Sequence, residues 1–442
     1  MTDPATDRGA AVRLPSARWA WFGLFALTLV GFMYNLSRQV IVLVTEPLKR
    51  ELLLSDTQIG VLNGFALSLV AALAVFPLGW LTDRADRRLL LAGCIAIWCV
   101  GTIGFGLAHD FTSLFGFAMG IAVLEAILGP ITYSIIPDLF PRERWVSVNY
   151  VFYVLNVLGV SIGLTAAGLL LSTADASRPA LPAEFADLAS WRIAMQMVAA
   201  MAPLAILLVL LLRMRRVAAP ASDDGAVATS LLAYFRTHAR ALVGVFFGFG
   251  IIYSANGVLM VWLPPALTRV FDVPPSDVGV KLGLILSASA LTGVAISAFW
   301  VRLLRPSKGE LAPMVVAQGS TVLACVATVG LALAPTPDLV YAAASLKTIF
   351  VTACLSLSPA ILQLIAPSHM RGRVIALGGL VAILFMTLSP ALVGLVSDYL
   401  LPAPKDLMLA AATVSVPCFV AGFLLLRFGA SRLSDVFAAA RE

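Results

Sequence analysis

The feature that most constrains this 442-residue chain is a succession of apolar runs about 20 residues long, separated by short segments rich in charge, Pro and Gly. Twenty residues of α-helix rise about 30 Å, the thickness of a bilayer's hydrocarbon core. Inside lipid each backbone polar group must be satisfied within its own segment, which selects helices. Spans are read at 19–44, 57–81, 89–108, 111–137, 146–171, 191–212, 241–265, 278–301, 312–334, 338–366, 373–397 and 406–427. The expectation is an all-α membrane protein of twelve transmembrane helices. With 60% hydrophobic and 12% charged residues, a soluble fold would have to leave much of this apolar surface in water. The run from Trp19 is too long for a cleavable leader and has no small-residue cleavage site, so it reads as a retained first span.

The stretch 213–240, rich in Ala, Ser, Asp and basic residues, divides the chain near its middle. The expected plan is a tail (1–18), a six-helix bundle (19–212), a linker (213–240), a second six-helix bundle (241–427) and a tail (428–442). The halves echo each other: Gly60-Val61-Leu62-Asn63-Gly64 opens the second span and Gly279-Val280-Lys281-Leu282-Gly283 the eighth. Pro141 to Arg144 leaves the fourth, and Pro367 to Arg371 the tenth. Two such pseudo-symmetric bundles suit a carrier that rocks about a central site. Lys and Arg crowd the segments on the side of the N-terminus, whereas Lys49, Arg50, Arg178, Arg269 and Lys405 stand on the other. Both termini are therefore expected in the cytoplasm. Abundant Arg and short loops suggest a bacterial inner membrane.

Several functions are disfavoured. The basic residues form no stripe interleaved with aromatics, which argues against nucleic acid despite the charge of +6. The five cysteines lie within apolar runs and the three histidines in separate loops, so no metal or other cofactor is expected. Gly159-Val160-Ser161-Ile162-Gly163 matches a hydrolase elbow, but it lies inside an apolar helix with no histidine at hand. Small residues four apart are better explained by close helix packing. No phosphate-binding loop of the ATPase type is present.

After the second span the chain reads Gly79-Trp80-Leu81-Thr82-Asp83-Arg84-Ala85-Asp86-Arg87-Arg88. This resembles the G-x-x-x-D-R-x-x-R-R signature of the major facilitator superfamily, in the position that family requires. The resemblance implies the two-bundle fold and a cytoplasmic charge latch. Gly79, Asp83, Arg84, Arg87, Arg88, Asp138, Arg144, Arg371 and Arg373 are the gate candidates. Ser37-Arg38-Gln39, Glu46 to Leu52, Ser55 to Gly60, Glu125-Ala126, Pro130, Tyr133-Ser134 and Asp138 resemble the spinster-like branch. Met370 to Arg373 and Val393 to Asp398 do so near the C-terminus. That branch implies an amphipathic lipid substrate of lysophospholipid or sphingoid type. Two positions depart from it: Ser37 stands where an acidic residue usually precedes the arginine, and Ala118 replaces an arginine. Proton coupling is left open by the missing carboxylate.

Arg38, Glu125 and Lys347 are charges read well inside spans, where each costs about 2.5–3.5 kcal/mol on insertion scales. An Arg38–Glu125 pair is expected, with Lys347 as a second anion contact across the cavity. Ser37, Asn63 and Tyr133 join them as candidates. So do Tyr34 on the first span, the stripe Asn149, Tyr153 and Asn156 on the fifth, and Tyr253 with Asn256 on the seventh. Residues so spaced share a helix face. The three charges sum to +1, which favours an anionic head-group. The reading is a monomeric secondary carrier working by alternating access, with membrane lipids around it. A small organic anion and a scramblase-like conduit are the alternatives.

Overall fold

The computed structural model describes residues 15–141, 144–180, 188–212, 236–365, 371–431 and 433. The expected central linker, apart from its last five residues, and most of both tails lie outside the described residues. Among those described the chain is helical nearly throughout, with no strand.

The first span is α1 (Ala17–Leu43), followed after Val44 by the short α2 (Thr45–Leu52). The second is compound: α3 (Asp56–Val61), a π-helical segment (Leu62–Leu69) and α4 (Val70–Arg84). A capping box starts it. The Ser55 hydroxyl accepts from the Gln58 N–H at 3.1 Å, and the Ser55 N–H donates to the Gln58 amide at 2.9 Å. Next come α5 (Arg87–Leu107), capped by the Asp86 carboxylate, and α6 (Phe111–Leu139), capped by that of Asp110. They are followed by α7 (Trp145–Ser177). The sixth span breaks into α8 (Ser190–Ala199) and α9 (Ala202–Leu210), with Pro203 in the first turn of α9, where its missing N–H costs nothing.

The second half begins with α10 (Ala239–Phe271). An apolar helical stretch of 58 residues, Pro275–Ala332, follows. It is two spans, α11 (Pro275–Lys308) and α12 (Ala312–Ala332), because the chain reverses through Gly309 at φ +56°, which suits a residue without Cβ. The tenth span breaks after α13 (Pro337–Leu355) and restarts at α14 (Ser358–Leu364), again with a proline in the first turn. The last two are α15 (Arg371–Leu395), which runs into a π turn (Val396–Leu400), and α16 (Leu407–Ala430). The expected twelve crossings are present. Large side chains such as Leu284, Val326 and Leu424 lie exposed along them, an arrangement that lipid stabilises and water does not.

Within the first half, α5 packs on α6, α4 on α6 and α1 on α7; within the second, α10 packs on α15 and α16, and α13 on α11 and α12. Between halves, α7 runs against α11, and α15 against α3 and its π segment. These contacts lie toward the end of the bundle remote from the start of α1, here called the distal end. There the backbones touch: a Cβ on Gly64 would overlap the Thr387 carbonyl, and one on Gly394 the Asp56 carbonyl. With α4, the proximal continuation of the same span, α15 makes no contact of comparable extent among the described residues. The bundle is therefore sealed distally.

Candidate functional site

Two side chains one turn apart on α1, Tyr34 and Arg38, build the centre of the first half. The Tyr34 hydroxyl donates to the Glu125 carboxylate of α6. Arg38 and Glu125 form no ion pair; Tyr34 takes the place at the carboxylate that the charge count assigned to the arginine. The Arg38 Nη1 is buried and has no hydrogen-bond partner among the described residues. A guanidinium nitrogen left so is costly in a low-dielectric surround unless a ligand completes it. Glu125 itself is exposed. The cluster thus couples a reachable carboxylate, through a phenol, to an arginine with spare donor capacity.

Ser37 belongs elsewhere. Fully buried, its hydroxyl donates to the Tyr34 carbonyl at 2.7 Å and accepts from the Trp98 indole at 3.1 Å. The residue that replaces the usual acid has become part of the packing between α1 and α5, which a carboxylate could not join without a counter-charge. Asn63 is also buried, its amide turned back on the Ile59 carbonyl at 3.1 Å and its Oδ1 without a partner among the described residues. Asn156 bonds the Phe152 carbonyl at 3.1 Å and lies against Gly31, holding α7 to α1. Tyr133 is exposed and meets Phe152 edge to face, ring centroids 5.9 Å apart. Tyr253 is half-buried on α10. The side chains of Asn149 and Tyr153 lie outside the described residues.

Lys347 is not brought to this cluster. It is 2% exposed on α13 and donates to Asn256 Oδ1 of α10 at 2.7 Å. It lines a cavity between the halves that Gln39 reaches from α1 and Val160, Ser161 and Leu164 reach from α7. Gln39 follows Arg38 directly and points to another side of the helix, so two polar centres flank α1.

At the proximal end Arg87, the first residue of α5, donates to the Asp138 carboxylate at 2.7 Å and to the Ser134 carbonyl at 2.9 Å, tying α5 to α6. Burial pushes the Asp138 carboxyl above the usual range, and Arg87 opposes that. Arg88 holds Asp86 at 3.1 Å and the Leu212 carbonyl at 3.3 Å, while the Arg84 guanidinium lies 3.9 Å from the Trp80 ring centroid. These contacts stay inside the first half. Arg144 is exposed. Gly79 is part of α4, and the side chains of Asp83, Arg371 and Arg373 lie outside the described ones.

The strongest charge cluster escaped the sequence reading, which took Lys49 and Arg269 as topology markers. At the distal end the Arg269 guanidinium reaches both Asp56 oxygens at 2.7 Å and, through Nε, Glu46 at 2.8 Å. Lys49 and the Ser397 hydroxyl also hold Asp56, at 2.5 and 2.6 Å. Asp398 accepts from the N–H groups of Asp56 (3.0 Å) and Thr57 (2.7 Å) and from the Thr57 hydroxyl (2.7 Å). A carboxylate of the second half thus caps a helix of the first, where the dipole favours it. The α2 platform is fixed to its own half by Glu51, which pairs with buried Arg192 at 2.8 Å. A signal was present: Glu46, Lys49, Asp56, Arg269 and Asp398 all stand at span ends on the same side.

Twelve apolar spans, sealed at one end by ties between two halves and carrying polar centres within, define a membrane carrier rather than an enzyme. The chain belongs to the major facilitator superfamily, whose family model matches residues 27–390. It is 29% identical over 283 residues to an MFS-type efflux pump of Mycolicibacterium smegmatis, covering 63% of this chain and 62% of that protein. It is 27% identical over 293 residues to protein spinster homolog 1 of Homo sapiens, covering 60% of this chain and 51% of the relative. The matches therefore span between about half and three fifths of these relatives' length. A crystal structure of a bacterial homologue of the human lysosomal transporter Spinster, inward-facing and occupied, superposes with a TM-score of 0.75 at 21% identity, over 97% of this chain and 98% of that one. A D-xylose–proton symporter does so at 0.67 and 14% identity, over 91% and 97%. These likenesses establish the fold, and the curated relatives bear out the resemblance to spinster proteins.

Proposed function

We propose that this secondary transporter carries an amphipathic anion of lysophospholipid or sphingoid type by alternating access, with Arg38 as anion contact and Glu125 as the titrating group. The observation that carries this reading is the Tyr34–Glu125 hydrogen bond beside an Arg38 nitrogen that is buried and has no partner among the described residues. Protonation of Glu125 would release Tyr34 and alter the field at Arg38, so that proton and anion share one switch although Ser37 is no carboxylate. The distal seal supports a cycle between two states, and the Arg and Lys distribution supports cytoplasmic termini in a bacterial inner membrane. The mycobacterial relative's name adds outward export as the direction to test first.

The test is transport in liposomes. Uptake of a lysophospholipid should saturate and respond to a pH gradient, and Glu125→Gln should slow it at least about tenfold, or 1.4 kcal/mol, and abolish the pH response. Unchanged rate and pH response in that variant would remove Glu125 from the mechanism. Saturation by soluble carboxylates alone would make the substrate a small organic anion.

A further inference from the structure

We propose that the proximal part of α10 forms, between α15 and α16, a lipid-facing groove that binds an anionic phospholipid of the proximal leaflet, with Arg240 and Arg236 on its phosphate. The groove needs the membrane fold alone and is independent of the substrate reading above. Arg240, Val243 and Phe247 are exposed and, three and four residues apart, share one face of α10; exposed Arg236 stands just ahead of the helix. That face lies opposite the space between the halves. Phe247 is nine residues from Asn256, the partner of Lys347, and steps of about 100° put the two about 180° apart around the helix.

Neighbouring helices bound the face on both sides. The Phe247 ring meets Phe385 of α15 edge to face, centroids 5.8 Å apart, and the Arg240 guanidinium lies 4.5 Å from the Phe428 ring centroid of α16. Helix α10 packs extensively on both, while α15 and α16 touch each other little, so α10 is the floor and they are the walls. Glycines fix the α16 wall at close range: a Cβ on Gly244 would overlap the Gly429 backbone, and one on Gly248 the Leu426 side chain. The charge at the mouth is unanswered by the protein. Arg236, Arg240 and Arg427, the residue before Phe428, are exposed, and none forms an ion pair with a carboxylate among the described residues. A guanidinium resting on a ring keeps its N–H edge for an oxyanion such as phosphate. Farther into the span the surface turns apolar, through Val243 and Phe247 on the floor and Leu424 on α16. Charge at the membrane surface with hydrocarbon beneath it matches a phosphate head on acyl chains. A soluble anion would leave the apolar walls bare, and a neutral head-group would leave the arginines unanswered.

The experiment measures binding of phosphatidylglycerol with a fluorescent acyl chain to the purified full-length carrier in detergent. Unlabelled dioleoylphosphatidylglycerol, dioleoylphosphatidylcholine and glycerol 3-phosphate are the competitors. Binding should saturate, and of the three competitors the unlabelled phosphatidylglycerol alone should displace the probe. Arg240→Gln should weaken binding about fivefold and the pair Arg236→Gln with Arg240→Gln about twenty-fivefold, the scale of one and two arginines beside anionic lipid. Arg302→Gln, an exposed position at the proximal end of α11, and Arg38→Gln in the central cluster should leave it unchanged. Should the double variant fail to fold, Phe428→Leu, which removes the ring under Arg240 and keeps the wall apolar, carries the test with a loss of about threefold. Undiminished binding in the double variant, or in Phe428→Leu where that stands in, overturns the groove. So does an equal loss in Arg302→Gln, which would mean diffuse surface charge. Loss confined to Arg38→Gln would place the lipid in the central cluster, leaving the carrier reading intact and removing this site. Equal displacement by phosphatidylcholine overturns the charge recognition, and displacement by glycerol 3-phosphate the apolar half. A probe that never saturates removes the site outright.

Discussion

At Asp138 two influences oppose each other. Burial raises its carboxyl above the ordinary carboxylate range, and Arg87 at 2.7 Å pulls it down without cancelling the rise. A carboxyl whose value is raised by folding holds its proton more tightly in the folded chain. Its ionisation therefore weakens the fold at neutral pH, and the penalty fades as pH falls through the raised value. Asp138→Asn should leave the melting temperature at about pH 7 unchanged or higher, with any gain shrinking toward about pH 4. A clear loss at neutral pH would mean that the Arg87 pair outweighs burial. Ser37 shows the same physics from the other side. Its hydroxyl is spent on Trp98 and the Tyr34 carbonyl, so the position has left the proton chemistry that an acid there would serve.

Helices α3 and α15 approach closely because glycines stand where they cross. With a Cβ on Gly64 meeting the Thr387 carbonyl, the pair could not close at its present separation. Gly64→Ala should cost about 1–3 kcal/mol, the scale of overpacking, and should cost it only in the distally closed state. The measurement is distance between spin labels on the distal ends of the two helices. Separation should widen in the variant, and an unchanged distance would show that the backbones give way locally. The π segment Leu62–Leu69 lies in the same crossing and turns Gly64 and Asn63 through a different angle from a regular helix. Asn63, a site candidate from the sequence, is buried there with its amide on the Ile59 carbonyl.

Among the described residues the distal ties between the halves outnumber the proximal ones. Breaking a buried charge pair by removing one partner costs about 3–5 kcal/mol. Arg269 holds two carboxylates that are each under 5% exposed, so Arg269→Ala should move the population away from the distally closed state by at least about a hundredfold. Asp398→Asn, which keeps the shape of the cap but not its charge, should act in the same direction and more weakly. Cysteine labelling reads both ends: distal accessibility should rise while proximal accessibility falls. A rise at both ends would indicate general loosening, and no change would show that α7 against α11 suffices to keep the seal.

Apolar runs and their length determined that this chain crosses a membrane twelve times, since a helix is the structure that satisfies its own backbone in lipid. The repeat at half the chain and the Gly79–Arg88 segment were equally legible, because a short motif keeps its residues together. Tertiary structure alone decided which charges meet. Glu125 found Tyr34 rather than Arg38, Lys347 went to its own cavity beyond Gln39, and Asp398 reached the start of α3 from 341 and 342 positions away. Such partners are set by helix rotation and by the angle between two halves, quantities that depend on contacts far apart in the chain and leave no local trace in the order of residues.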